Sequence, residues 1–375
     1  MSVTNIEIQP VRSHREKMNF IQFPWQVYNG DPHWVPPLII DMKEIMNPKK
    51  HPFYEHSEVE FFLAHNNGQV LGRIAAIKNG RHLKYHEDGV GFFGFFECVD
   101  DPRVAKELFN TAADWCRSKG LKAMRGPANF SQNETCGLLV DGFDSSPVVM
   151  MTYNPEYYIN LVEDYGFKKE MDLYAYYLAS EKGFPERLIQ MAEKLKKKMN
   201  ITIRSINMKN FWKEVERVKQ VYNTAWFQNW GFVPLTENEI IHLAKELKQA
   251  LDPDIAFMAE DNGRPVGFSL AVPDMNQAIK KANGRLFPTG LLKIMQHAKK
   301  VDGLRVIIMG VIPEYRQVRG IDSIFYWETF RRGTAKGYKW GEFSWILENN
   351  TMMNRAAQLM GSHIYKTYRM YQIDL

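Results

Sequence analysis

A cluster of cationic and glycine residues lies between an apolar run and a helical pattern in the C-terminal half of the chain. The apolar run ends at Val311, Pro313 terminates it, and a polar turn precedes a helix expected to begin near Gly320. The first-turn amides of a helix and its dipole favour an anion, and arginine adds charge-assisted hydrogen bonds. The segment therefore predicts a diphosphate site at Gly320, with Arg316 and Arg319 as charged donors.

Titratable side chains that follow this corner have the chemistry for proton transfer. Glu342 and Glu348 lie six residues apart, on and just beyond a predicted strand, and an extended backbone would place them on one face. Histidine transfers protons near neutral pH, and His363 lies close to Tyr365 in the last strand pattern. We therefore take these four residues as catalytic candidates. Surface or ion-paired carboxylates, an exposed histidine and a tyrosine of an amphipathic strand are the structural alternatives.

A polar loop over residues 126–134 follows a predicted strand in the N-terminal half and contains Asn129 and Asn133. Loops held by a rigid scaffold frequently carry binding residues. We therefore take both asparagines as candidates for binding a second substrate, with ordinary turn chemistry as the alternative.

Two predicted β-hairpins have the same turn chemistry and indicate an internal repeat. The first, over residues 58–77, turns at Asn67-Gly68, and the second, over residues 255–272, turns at Asn262-Gly263. Asparagine and glycine tolerate the positive φ that such turns need. An offset of 195 residues aligns these turns and further pairs, including Phe62 with Phe257, Ala64 with Ala259, Gly72 with Gly267 and Gly166 with Gly361. The sequence therefore predicts a duplicated unit.

The predicted copies cover residues 1–180 and 181–375, with a linker near 180–185. In each copy, strand and helix patterns alternate, which predicts an α/β (α+β) fold with a mixed central sheet flanked by helices. Lys119-Gly120 and Lys336-Gly337 match at a larger offset of 217 residues. This predicts that the second copy gained about 22 residues, within 273–300, and that the first copy gained a matching excess within 126–149, which restores the offset of 195 at Gly166 and Gly361.

The segment from Gly310 to Asp322 resembles the pyrophosphate-loop motif of the GNAT acyltransferase superfamily. That motif is usually Val-x-Pro-x-x-Arg followed by Gln/Arg-x-x-Gly-x-Gly/Ala, and Gln317 and Gly320 are in register with it. Asp322 departs from it, since glycine or alanine is usual there. The order of the surrounding elements also matches the family, because a strand, the Asn349-Asn350 loop and a helix closing at Gly361 follow the motif.

The resemblance implies two tandem GNAT-like domains and a cofactor held between two splayed strands. It implies acetyl-CoA or a longer acyl-CoA as the acyl donor. The cofactor-binding residues that it implies are Val311, Arg316, Gln317, Val318, Arg319, Gly320, Ile321, Asp322 and Asn350. An amine attacks the thioester in this family, often with a glutamate base and a tyrosine acid on the last helix. Ala357 occupies the usual tyrosine position here, and the first copy's loop, residues 98–104, is acidic and lacks glycine. The first copy therefore resembles a domain that has lost its cofactor loop.

Composition excludes several other classes. The 48 Lys and Arg residues are interleaved with 43 Asp and Glu residues, which argues against a nucleic-acid partner. The three cysteines lack CxxC spacing, which predicts neither a metal site nor a disulfide framework. With no 18-residue apolar run and no apolar signal region, we expect a cytoplasmic protein without integral membrane association. The Lys194–Lys198 helix pattern predicts a solvated face, with peripheral contact to an anionic membrane as the alternative.

The leading hypothesis is an N-acyltransferase that uses acyl-CoA bound at the second copy and a small-molecule or lipid amine as acceptor. The first alternative is transfer of a long acyl chain to an amino-lipid at a membrane surface. The second is a GNAT-like module that binds a ligand or partner without catalysis, which Asp322, Ala357 and the first copy's loop favour.

Overall fold

The computed structural model describes residues 5–198, 201–225 and 229–375, and the side chains in these ranges except at 317–319. Up to residue 179 its strands and helices are β1 (Glu7–Pro10), α1 (His14–Gln22), α2 (Pro24–Val27), α3 (Ile39–Ile45), β2 (Ser57–Asn66), β3 (Gln69–Asn79), α4 (Gly80–His86), β4 (Val90–Cys98), α5 (Pro102–Ser118), β5 (Ala123–Gly126), β6 (Ala128–Asn129), β7 (Thr135–Cys136), β8 (Leu138–Asp141), α6 (Tyr158–Tyr165) and β9 (Lys168–Ala179).

The remaining elements are α7 (Glu186–Lys198), β10 (Ile201–Ser205), α8 (Phe211–Ala225), α9 (Glu237–Ala250), β11 (Ala256–Asp261), β12 (Arg264–Pro273), α10 (Asn276–Ile279), α11 (Gly290–Ala298), β13 (Gly303–Val311), α12 (Pro313–Arg319), α13 (Ile321–Ala335), β14 (Trp340–Leu347), α14 (Thr351–Leu359) and β15 (His363–Asp374). Within the described ranges, no helix is both long enough and apolar enough to cross a bilayer.

Two compact units make up the chain, and neither is continuous in sequence. Unit 1 comprises Met1–Leu173, Ala278–Gln296 and Lys366–Leu375, and unit 2 comprises Tyr174–Gln277 and His297–Tyr365. The last strand contributes to unit 1 because Tyr371 lies opposite Gly126 of β5. Residues 278–296 join unit 1 because the Ile39 amide donates to the Gly284 carbonyl at 2.9 Å. The predicted copies, 1–180 and 181–375, differ from these units, because residues 278–296 and 366–375 belong to unit 1. The duplication itself remains a prediction.

In unit 1, the strands follow the order β1-β2-β3-β4-β5-β15. All neighbours are antiparallel except β4 and β5, which are parallel, and this confirms a mixed sheet. The predicted first hairpin is present, since Asn66 pairs with Gln69 around Asn67 and Gly68, both at positive φ. Helix α5 packs on this sheet through apolar residues such as Leu108, Phe109 and Ala112, each fully buried. At Gly72, close approach requires glycine, because an added Cβ would lie 2.7 Å from Leu108 Cδ1.

In unit 2, the strands follow the order β14-β13-β12-β11-β10, with β13 and β14 parallel and the other pairs antiparallel. The second predicted hairpin is confirmed, with Asp261 opposite Arg264 around Asn262 and Gly263. Helices α8 and α13 pack against strands of this sheet around buried Phe257, Phe268 and Phe325.

Candidate functional site

Strands β13 and β14 of unit 2 part along their length. Their parallel pairing runs from Gly303 opposite Trp340 to Val306 opposite Phe343, whereas β13 continues to Val311 and β14 to Leu347. The register between β12 and β13 shifts at the same level, where Leu270 pairs with Ile308 and Ala271 with Val306. The extra residue of a β-bulge bends its strand away from the ladder. We call the parted residues, 307–311 of β13 and 344–347 of β14, the β13–β14 wedge.

A buried carboxylate lies where the wedge begins. Glu342 is opposite Arg305 in the last paired stretch, and their side chains are 0% and 3% exposed. The Glu342 carboxylate accepts hydrogen bonds from the hydroxyls of Ser344 and Tyr365. Arg305 Nε donates to Ser344 Oγ at 3.0 Å and lies 4.0 Å from Glu342 Oε1. Both carboxylate oxygens therefore have donors, and a cation balances the buried charge.

Three of the four predicted catalytic residues gather at this point. Tyr365 is partly buried and His363, two residues earlier on β15, is exposed. The ring of Tyr177 on β9 contacts both, with centroid distances of 5.6 Å to Tyr365 and 5.8 Å to His363. Residues two apart on a strand share a face. The arrangement can therefore pass a proton between the buried Glu342 carboxylate and the partly exposed Tyr365 hydroxyl, next to an exposed histidine.

Glu348 does not join this cluster. It lies in the turn between β14 and α14, where its backbone carbonyl accepts a hydrogen bond from Asn354 Nδ2 at 3.3 Å. Six residues of extended chain separate it from Glu342 by roughly 20 Å. Even on the shared face that the spacing predicted, the two carboxylates would be too far apart to meet, and Glu348 lies beyond the end of the strand at Leu347.

The predicted turn of the diphosphate corner is a helix. Residues 313–319 form α12, with Pro313 at its first position, and Gly320 ends it at a φ of 60°. Proline is well suited to this position because its fixed φ is helical and its missing N–H has no helical partner. The expected polar turn is therefore wrong, whereas the helix expected near Gly320 is confirmed as α13, which begins at Ile321.

Two groups of the chain itself lie at the corner between α12 and α13. Burial raises the pKa of the Asp322 carboxyl, although the amides of Asp322 and Ser323 lower it. A Cβ built on Gly320 would lie 2.7 Å from Leu195 Cδ1 of α7. The corner that was predicted to receive a diphosphate therefore already has a carboxylate in its first helical turn and an apolar side chain against its glycine.

The other predicted cofactor residues have definite positions. The side chains of Gln317, Val318 and Arg319 lie outside the described residues. Arg316 Nε donates to the Val311 carbonyl at 2.8 Å, so one of its donors holds α12 to the end of β13.

Two of these residues have structural contacts in place of ligand contacts. Ile321 is fully buried in the core of unit 2, which leaves only its backbone for a ligand. Asn350 caps α14, where its side chain accepts a hydrogen bond from the Met353 amide at 3.2 Å. Asn350 is therefore placed for helix capping.

The predicted solvated face of α7 is partly wrong. Lys194, Lys197 and Lys198 are exposed, but Lys196 Nζ lies 2.7 Å from the fully buried Glu328 of α13. Burial would raise the pKa of Glu328, yet hydrogen bonds from Lys196, Arg331 and Arg332 lower it to about 2. This ion-pair cluster fixes α7 against α13 and thereby holds Leu195 near Gly320.

Both candidate asparagines of unit 1 lie in a loop that the chain holds tightly. Asn129 Oδ1 accepts from the Phe95 amide at 2.7 Å, and its Nδ2 donates to Thr135 Oγ1 at 3.1 Å. The Asn133 amide donates to Ser131 Oγ at 3.2 Å. The Asn129 side chain thus provides a hydrogen-bond acceptor for the backbone amide of Phe95 in β4, a residue with a φ of 50°. A role of either asparagine in substrate binding remains a prediction.

Unit 1 contains a second buried carboxylate that the sequence reasoning missed. Glu97 of β4 accepts hydrogen bonds from the hydroxyls of Tyr28 and Tyr158, each at 2.9 Å, and lies 3.4 Å from Arg73. Burial raises the pKa of Glu97, and the Arg73 charge opposes this. These residues come from distant parts of the chain, and no motif joins them. In unit 2, Arg305, Ser344 and Tyr177 were missed for the same reason.

Solved structures with the same fold span the whole chain. A tandem GNAT protein from the clavulanic acid biosynthesis pathway superposes with a TM-score of 0.56, at 9% identity over 99% of this chain and 98% of that one. A GCN5-related N-acetyltransferase from Sphaerobacter thermophilus gives a TM-score of 0.52, at 12% identity over 98% and 95%. The predicted GNAT-like fold and the α/β fold class are confirmed, and together with the relatives described next they support an acyltransferase.

No family model matches the sequence, but two relatives cover nearly all of it. The bacterial ceramide synthase of Caulobacter vibrioides is 36% identical over 374 residues, which is 98% of this chain and 97% of the relative. The protein YghO of Escherichia coli is 35% identical over 360 residues, covering 94% and 91%. This chain belongs to the family of these two proteins.

Proposed function

We propose that this protein transfers a long acyl chain from acyl-CoA to the amine of a long-chain amino alcohol, forming an amide. The observation that carries the proposal is the 36% identity, over 98% of this chain, to a protein named as a bacterial ceramide synthase. A ceramide is the amide of a fatty acid with a long-chain amino alcohol. The relative therefore favours the predicted amino-lipid acceptor over a small-molecule amine.

The cluster around Glu342 supports the chemistry. An acyl-CoA supplies a thioester carbonyl for attack by the amine nitrogen and a thiol as leaving group. The nitrogen must lose one proton during amide formation, and the departing sulfur must gain one. Tyr365 can accept the proton of the nitrogen while its own proton moves to Glu342, because its hydroxyl already donates to that carboxylate. Glu342 is 0% exposed, so Tyr365 is the group through which it acts.

The fit of an acyl-CoA differs between its two ends. The β13–β14 wedge leaves backbone of two parallel strands parted, which suits the extended arm of the donor. The corner offers the amides of the first turn of α13 and the backbone of Gly320, but Asp322 and Leu195 lie in the same place. Binding of the diphosphate there requires Leu195 to move away from Gly320.

The test is an assay with the purified full chain, sphinganine and a series of acyl-CoA donors. We expect thiol release with palmitoyl-CoA at a rate at least tenfold above that with acetyl-CoA, together with a matching amount of amide by mass spectrometry. Preference for acetyl-CoA with small amines would support the short-chain alternative and contradict this proposal. No binding of acetyl-CoA, palmitoyl-CoA or free CoA by calorimetry would support the non-catalytic alternative.

A matched pair of glycine variants tests the donor corner. Gly320→Glu places a carboxylate against the diphosphate and should abolish CoA binding. It also adds backbone strain and a steric clash, because residue 320 has a φ of 60° and an added Cβ meets Leu195. Gly337→Glu is the control, since Gly337 also has a positive φ, follows the other end of α13 and has no atom within 4 Å of an added Cβ. Equal CoA affinity of the two folded variants would remove the donor from this corner.

A further inference from the structure

Unit 1 exposes a cluster of large apolar side chains on one short segment. Phe287 is 75% exposed, Leu292 67%, Met295 60% and Leu291 44%. Single exposed apolar residues are common on protein surfaces, whereas adjacent ones mark a surface that contacts something apolar. This segment lies within the residues that the second predicted copy gained, 273–300, and the acyl-transfer chemistry uses none of it.

Helix α11 leaves Leu291, Leu292 and Met295 exposed, although Ile294 is partly buried. Leu291 and Met295 lie four residues apart on one side of this helix, Leu292 adjoins them, and Phe287 lies in the turn that precedes the helix. Gly290 is the buried residue of this helix. An amphipathic helix on a globular domain normally turns its apolar stripe toward the core. Here the stripe is directed to solvent.

The charge of the segment has one sign. Residues 275–301 contain no aspartate or glutamate. Their cations are Lys280, Lys281, Arg285, Lys293, Lys299 and Lys300. Lys281, Arg285 and Lys293 are exposed on the same unit as the apolar stripe. A cavity of about 540 Å³ opens beside Phe287 and is lined by Arg285, Lys293 and Trp25, among other residues. Arginine and lysine at a membrane surface attract anionic lipid headgroups.

The base of the segment is fixed to unit 1. Trp25 Nε1 donates to Asn283 Oδ1 at 2.9 Å, and Lys280 Nζ donates to Ser146 Oγ at 3.0 Å. Gly284 lies against Trp25 so closely that an added Cβ would be 2.3 Å from its ring. The exposed stripe is therefore presented by a segment with definite contacts.

We propose that residues 280–296 bind in the plane of an anionic lipid bilayer, with Phe287, Leu291, Leu292 and Met295 entering the boundary between headgroups and acyl chains. Amphipathic helices with apolar residues on one side and lysine or arginine on the other bind membranes in this way. The cations make an anionic bilayer a better occupant than a second copy of the chain, because two copies would bring like charges together. Binding of this segment to a bilayer does not depend on the identity of the acyl acceptor.

Vesicle co-sedimentation with the full chain tests the proposal. We expect binding to vesicles of phosphatidylcholine and phosphatidylglycerol at a ratio of about 7:3, and at least tenfold weaker binding to phosphatidylcholine alone, because each cation near an anionic surface strengthens binding roughly fivefold. The double variant Leu292→Glu/Met295→Glu should lose at least tenfold in affinity for the mixed vesicles. Its matched control is Met352→Glu/Leu359→Glu, which changes two residues of α14 that are 80% and 58% exposed.

A second pair of variants separates this surface from α7. Arg285→Glu/Lys293→Glu should weaken binding at least tenfold, whereas Lys194→Glu/Lys197→Glu on α7 should leave it within twofold. Thermal unfolding of each variant shows that it is folded. The opposite order of the two pairs, or unchanged vesicle binding by Leu292→Glu/Met295→Glu, would overturn the proposal. A dimer that this last variant converts to monomers, with vesicle binding unchanged, would instead assign the stripe to self-association.

Discussion

Replacing Glu342 by glutamine removes a negative charge from a buried cluster and leaves the side chain almost unchanged in size. Glutamine keeps one oxygen that can accept a hydrogen bond, from either Ser344 or Tyr365, but it cannot take up a proton at neutral pH. If Glu342 is the final proton acceptor, kcat should fall by about 10²- to 10⁴-fold, which is the usual contribution of a general base.

The same change has a cost in stability that must be measured separately. Arg305 would lose the carboxylate that lies 4.0 Å from its Nε, while remaining 3% exposed. Removing one partner of a buried ion pair costs about 3–5 kcal/mol, and the retained hydrogen bond should reduce this to about 2–4 kcal/mol. For a protein of 375 residues, we expect the melting temperature to fall by roughly 3–5 °C.

The assay measures thiol release from palmitoyl-CoA at a temperature where every variant is folded. Glu348→Gln is the matched control for kcat, because Glu348 lies in the turn after β14, beyond the buried cluster. Tyr365→Phe should lower kcat in the same direction as Glu342→Gln, because it removes the hydroxyl that donates to the carboxylate. A folded Glu342→Gln enzyme with a normal kcat would refute the proton-transfer role and leave the cluster a structural one.

Three further predictions concern other charges of the chain. Asp322→Ser should tighten CoA binding by about tenfold in calorimetry, because it removes a carboxylate from the corner proposed for the diphosphate; unchanged affinity would place the diphosphate elsewhere. Glu328 has a pKa lowered to about 2, so its stabilisation is complete above about pH 4.5 and is lost as the pH falls toward 2. Glu328→Gln should therefore lower the free energy of unfolding by about 3 kcal/mol at pH 7 in denaturant titrations, and it should weaken the dependence of that free energy on pH in the acid range. An unaltered pH dependence would contradict this role of Glu328. Burial lowers the pKa of His82 to about 4, although the Asp88 charge opposes this. The free energy of unfolding should therefore decrease as the pH is lowered from about 6.5 to 4, and His82→Gln should make this decrease smaller. An equally steep decrease in the variant would show that other groups cause it.

The elements around the site could be predicted because their signals are local. Asn67-Gly68 and Asn262-Gly263 adopt the positive φ values that their turns require, and both hairpins form where expected. The helix expected near Gly320 is also present and begins at Ile321. The helix at 313–319 was missed because its polar residues are typical of a turn. Proline at a first helical position was the sequence signal for it.

The sequence by itself determined the two hairpins, the helix after Gly320, the resemblance to the GNAT motif and the candidate acids, because turn chemistry and strand or helix periodicity depend on neighbouring residues. Only the tertiary structure decided which of those candidates meet. The parallel register that sets Arg305 opposite Glu342, the bond from Tyr365 to Glu342 and the contact of Leu195 with Gly320 all join residues from separate elements. A one-residue shift of a strand would turn each of its side chains to the other face, and that register is set by packing across the whole sheet.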